Sequence, residues 1–75
     1  MNRIKDVYEI ENSEWVTLEV VDNDNVSHFM DVKIIDYQAY EDGELIQSCF
    51  PYLSIEQREI IISGLTDDMW GTLFR

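Results

Sequence analysis

One cysteine, one proline, one histidine, three glycines and five basic residues among 75 leave this chain poor in the residues that most recognisable chemistry needs. A lone Cys49 has no partner for an internal disulfide, so no disulfide framework holds the fold. His28 and Cys49 are the only soft metal ligands, two short of a four-coordinate zinc site, so no metal or other cofactor is expected. Gly43, Gly64 and Gly71 are too scattered to build a phosphate loop. No apolar run approaches a membrane span or a signal-peptide core, so the expected setting is a reducing cytoplasm, away from membranes, and the Asn25-Val26-Ser27 sequon is an accident of composition.

The deficit of bases is the largest of these absences. Sixteen acids against five Lys and Arg give a net charge of −11. The excess is even: eight acids and three bases over residues 1–35 give −5, and eight acids and two bases over 36–75 give −6. The charge thus belongs to the whole surface and not to a tail. Binding a nucleic-acid backbone takes clustered Lys and Arg, so direct DNA or RNA binding is not expected. The apolar share, 45%, suits a folded domain. A chain this short makes one domain with a small core, and a homodimer is compatible with that size.

Alternation marks the first half. Val16, Leu18 and Val20 face one way and Trp15, Thr17 and Glu19 the other, in β-branched and aromatic company that predicts a strand over 15–21. Asp22-Asn23-Asp24-Asn25 reads as a turn. A second alternating run over 26–35 puts Val26, His28, Met30, Val32 and Ile34 on one face, completing a hairpin. Residues 3–11 fit neither helical nor strand period well, and Tyr8-Glu9-Ile10 tips them to a third strand. Residues 36–42 read as a short helix capped by Asp36, or a loop, leading to Gly43.

The last third is the most determinate. Leu45, Ile46, Cys49 and Phe50 make a helical stripe over 44–50, and Pro51 closes it by excluding Phe50 from the helical region. Ser54 and Gln57 have capping-box spacing, Glu56 suits a first turn, and Gly64 suits a left-handed cap, which together predict a helix over 55–63. Thr66 can cap another over 67–74, where Met69, Trp70, Leu73 and Phe74 form an apolar face that needs cover. The expected class is α+β: a small antiparallel meander with short helices on one face. The expected core is Val16, Leu18, Val20, Met30, Val32, Ile34, Leu45, Phe50, Leu53, Ile61, Ile62, Leu65, Trp70, Leu73 and Phe74.

Phe50-Pro51-x-Leu53-Ser54-x-x-x-Arg58-Glu59-x-x-x-Ser63-Gly64, then Trp70 and Leu73-Phe74, resembles the ending of many small uncharacterised bacteriophage proteins, often preceded by a G-x-x-x-Q like Gly43 to Gln47. The resemblance covers the last third of the chain and implies a phage or prophage source, with no activity attached. Some such endings carry a cysteine just before the tryptophan. Met69 stands there in this chain, which removes any metal role.

No constellation points to catalysis, and the chain is expected not to be an enzyme. Asp22-x-Asp24 opens like a calcium loop, but Ser27 occupies the position that requires glycine and Lys33 the twelfth, so an acidic turn is the better reading. Cys49 on an apolar stripe reads as a core thiol, and His28 as a poor partner for it. Arg58 is expected to pair with Glu56 or Asp67. The acids at Asp22, Asp24, Glu41, Asp42, Glu44, Asp67 and Asp68, with Trp70, are the candidate interaction residues. They point to a phage-type accessory protein that binds a basic surface on a host or phage protein, in its sharpest form as a nucleic-acid mimic. The rival reading is a structural or assembly component, or a homodimeric scaffold, joined through Trp70 and Phe74.

Overall fold

The computed structural model describes residues 3–66, which form three strands and then three helices: β1 Ile4–Glu9, β2 Trp15–Val21, β3 Ser27–Lys33, α1 Ile34–Glu41, α2 Ile46–Cys49 and α3 Ile55–Ser63. The strands pair as one antiparallel meander in the order β1-β2-β3, so the α+β expectation holds. The expected helix over 67–74, with Trp70, Leu73 and Phe74 of the expected core, lies outside the described residues.

β2 is the central strand, and its alternation sets the two faces. Val16 opposes Val32, Leu18 opposes Met30 and Val20 opposes His28 on the face that the helices cover. β1 departs from simple alternation. Ile4 pairs with Val20, but Asp6 and not Lys5 pairs with Glu19, which makes Lys5 the extra residue of a β-bulge. The bulge lets Ile4 and Val7, an odd three residues apart, both pack on the covered side.

β3 stops two residues before the expected end. Its partner strand begins at Trp15, opposite Lys33, and beyond that the ladder continues only in the Ile34 N–H donating to the Glu14 carbonyl at 2.8 Å. The Lys33 N–H, which points away from β2, donates to the Tyr52 hydroxyl at 2.9 Å, and that hydroxyl donates to Asp36 Oδ2 at 2.8 Å. Ile34 and Ile35 are therefore helical. Asp36 sits in the first turn of α1, where its charge suits the helix dipole, and the N-cap is Lys33. α1 ends as a Schellman motif: Gly43 at φ 101 donates to the Tyr40 carbonyl and Glu44 to that of Ala39.

α2 spans Ile46–Cys49, shorter than the expected 44–50, and Phe50 leaves the helical region at φ −123, ψ 58 ahead of Pro51. α3 has the expected ends. Gln57 N–H donates to Ser54 Oγ at 3.1 Å, Ser54 N–H donates to Gln57 Oε1 at 2.9 Å, and Gly64 caps the helix at φ 73.

Phe50, Leu18, Ile60, Val20 and Val32 are the most deeply buried large side chains. Val16, Met30, Leu53 and Ile61 are buried as expected, and Ile34 packs on the core from its edge. Leu45 and Ile62 are exposed and Leu65 only half-buried, while Ile4, Ile46, Cys49 and Ile60 take interior positions. Leu45 is displaced because it is the N-cap of α2, so the stripe begins one residue later; on α3 the buried pair is Ile60 and Ile61, one residue earlier than read.

Two changes test these ends by urea unfolding. Ser54→Ala should lower stability by about 1 kcal/mol. Gly64→Val should cost more, since a side chain there meets the left-handed φ and a Cβ would stand 2.5 Å from the Arg3 guanidinium and 2.6 Å from Asn23 Oδ1.

Candidate functional site

The β2–β3 turn is built around one carboxylate. The Asp22 N–H donates to the Val26 carbonyl and the Asp22 carbonyl accepts from Asn25, closing a turn in which Asn25 takes φ 67. Asp22 Oδ1 accepts from the N–H groups of Asp24 at 2.8 Å and Val26 at 3.0 Å, and Oδ2 lies 2.7 Å from His28 Nε2, which donates to it. Asp22 is only 5% exposed. The hydrogen bond from His28, seconded by the two backbone donors, outweighs burial and holds its carboxyl below the usual range. Its neighbours tie in two other elements: Asn23 N–H donates to the Gly64 carbonyl at 2.9 Å and Val21 N–H to that of Arg3 at 3.0 Å. Asp22 is thus a framework group and not part of an accessible acidic surface, whereas Asp24 is exposed.

Glu41, Asp42 and Glu44 are exposed around the glycine that ends α1. Glu41 and Glu44 share an open groove of about 430 Å³ with Arg3, Tyr40, Gly43, Ile61 and Ile62. The Arg3 guanidinium is also the group beside Gly64 and Asn23, so this groove and the β2–β3 turn occupy one end of the domain. The structure therefore brings Glu41 and Glu44 together, with Asp42 beside them and Asp24 at the same end. The neighbouring Glu41 carboxylate, with burial adding to its effect, pushes the Tyr37 hydroxyl up to about 12. Asp67, Asp68 and Trp70 lie outside the described residues.

A third acid went unread in the sequence. Glu19 points to the sheet face opposite the helices, yet is only 7% exposed. Tyr8 OH donates to its Oε1 at 2.6 Å, Ser27 Oγ–H donates to Oε2 at 2.7 Å, and Lys5 Nζ stands 3.7 Å from Oε2. These partners hold the Glu19 carboxyl low, Tyr8 first among them, and the same bond pushes Tyr8 up to about 12. Beside it Thr17 Oγ1–H donates to Asp31 at 2.6 Å, and Lys33 lies over the Trp15 ring, 5.7 Å from its centroid. Only the register, bulge included, discloses that Lys5, Tyr8 and Ser27 converge on Glu19.

Among the described residues no group of three or more His, Cys, Asp or Glu is placed to hold a metal ion. Cys49 is buried, and burial first, then the charges of Glu44 and Asp36, raises its thiol, so it stays protonated and unreactive at neutral pH. No helix among the described residues is long and apolar enough to cross a membrane. Arg58 has no salt bridge with a described carboxylate, and Asp67, one of its two expected partners, lies outside the described residues; Arg58 lines a groove of about 230 Å³ between α2 and α3 with Ile46, Gln47, Ile55, Glu59 and Ile62. Glu59 takes up the Ser63 hydroxyl instead, through its carbonyl at 2.9 Å and its carboxylate at 3.3 Å.

No protein family, curated protein or solved structure matches the chain.

The lowered Asp22 carboxyl makes stability depend on pH. A folded-state value below the unfolded one contributes stability that is complete above the unfolded value, about 3.9, and lost as pH falls through the folded value. Asp22→Asn should be less stable than the native chain at neutral pH and lose less on acidification below about pH 4. Urea midpoints of both proteins across that range measure the difference in slope.

Proposed function

We propose that this protein is a non-enzymatic accessory protein of phage type whose acidic surface binds a basic surface on a host or phage protein. One observation carries the reading: a chain of net charge −11 folds over residues 3–66 into a domain whose exposed acids, Asp24, Glu41, Asp42 and Glu44, gather at the end that also holds Arg3. A rigid display of carboxylates presents a basic groove with preorganised partners, whereas a disordered acidic tail would lose entropy on binding. In its sharpest form the surface stands in for nucleic-acid phosphates and occupies the DNA or RNA site of an enzyme. The phage-like ending supports the setting in which such an inhibitor acts, and the shortage of Lys and Arg argues that the protein does not itself hold the nucleic acid.

The test is affinity capture from host lysate at low and at high salt, with mass spectrometry, followed by binding of the purified partner in competition with duplex DNA and single-stranded RNA. The expected partner has a basic nucleic-acid site, is released by salt and is displaced by one of the two competitors. Reversing Asp24, Glu41 and Glu44 together to Lys should weaken that binding by roughly tenfold or more without unfolding the domain, since all three are exposed. Capture that ignores both salt and charge reversal would instead support an assembly or scaffold role.

A further inference from the structure

Apart from Asp36 in its first turn and its Schellman ending, little inside α1 explains why it persists as a helix. None of its eight residues is fully buried, and Ile34, Tyr37, Ala39 and Tyr40 only lean on the core from one side. Lys33, the N-cap residue, has no side-chain oxygen with which to take up a free N–H of the first turn. The last turn holds Glu41 and no base, which is the wrong sign for the negative end of the helix dipole. A helix of this length is marginal in water on its own, so its start has to be held from outside.

We infer that the Tyr52 hydroxyl is the latch of α1: a relay that closes, from nineteen residues away, the half of a capping box that the helix cannot close by itself. In a capping box the third helical residue reaches back with its side chain to accept the N-cap N–H. α3 does this directly, with Gln57 Oε1 accepting from the Ser54 N–H at 2.9 Å. Asp36 holds the equivalent position in α1, but its side chain is one methylene shorter than that of Glu or Gln. The Tyr52 hydroxyl stands in between, accepting from the Lys33 N–H at 2.9 Å and donating to Asp36 Oδ2 at 2.8 Å. It is firmly mounted. Phe50 and Leu53, close on either side in the chain, are buried, and the Tyr52 ring packs edge-on against Trp15 at 5.3 Å and Phe50 at 6.4 Å. Burial pushes the hydroxyl up to about 12, offset in part by the Lys33 N–H and reinforced by the bond to Asp36, so at neutral pH it keeps the proton it donates. With the latch open, α1 loosens as a unit ahead of the sheet. α1 hands the chain directly to Asp42 and Glu44, so the latch also holds the base of the acidic end.

Native-state hydrogen exchange on the full chain tests the latch. In the unaltered protein the Lys33 amide, although it points away from β2, should exchange well below the rate of an unstructured amide. Tyr52→Phe keeps the ring and removes the relay. The Lys33 amide should then lose its protection and the amides of Gln38 to Asp42 should exchange roughly tenfold faster, with those of β2 unmoved. Asp36→Ala should also release α1, and the double variant should lose less protection than the two single losses combined, because both substitutions break one relay. The inference is overturned if the Lys33 amide of the unaltered chain exchanges freely, if Tyr52→Phe leaves α1 at its native rates, if α1 and β2 accelerate alike, or if the single losses add in full. Should Tyr52→Phe fail to fold, the unaltered Lys33 amide and Asp36→Ala decide the matter between them. No partner enters these measurements, so this inference and the proposed function fail separately.

Discussion

The described fold depends on how the chain is closed at the β2–β3 turn. A carboxylate with almost no exposure is costly to bury unless each oxygen is engaged, and Asp22 engages three donors within 3.0 Å. Those donors are the turn itself and the first turn-side residue of β3's covered face. The residues on either side of Asp22 donate to Arg3 at the start of β1 and to Gly64 at the end of α3. One turn therefore fixes the hairpin, the first strand and the last described helix relative to each other. Sheet and helices can then enclose Phe50 and Leu18 with so few residues.

What was legible in the sequence was local. Ser54, Gln57 and Gly64 act within one helix and can be read at fixed spacing, and all three perform as read. Val16, Leu18 and Val20 belong to a central strand whose alternation no neighbour can shift. The failures are tertiary. β1 fitted no period because Lys5 bulges out of the ladder. Ile34 and Ile35 alternate like strand residues, but β2 begins at Trp15, so past the Ile34 N–H the ladder has no further partner residue in that strand and the chain turns into α1. The burial of Ile60 in place of Ile62 is a one-residue error of phase, about 100° of helix rotation, which an isoleucine triplet cannot disclose.

The candidate site shows the same division. Composition alone discloses a strongly acidic protein, but not which carboxylates are available. Asp22 and Asp24 look equivalent in the sequence; the fold buries one and displays the other. Glu19 looks solvent-facing and is roofed by Tyr8, Ser27 and Lys5. Glu41 and Glu44 owe their proximity to the sharp glycine ending of α1, which sends the chain back on itself between them. Charge is a property of the sequence, whereas a charged surface is a property of the fold.

The bulge in β1 also affects how these molecules treat each other. Among the described strands β1 is an edge, and an even ladder on an edge is a template on which a second chain can grow a sheet. Lys5 breaks that evenness near one end, and the exposed Lys5, Asp6 and Glu9 would set charges against an incoming strand. The side chains of Tyr8 and Ile10 stand partly exposed beside this interrupted edge. A single residue out of register thus makes one edge of the sheet a poorer template for a second chain.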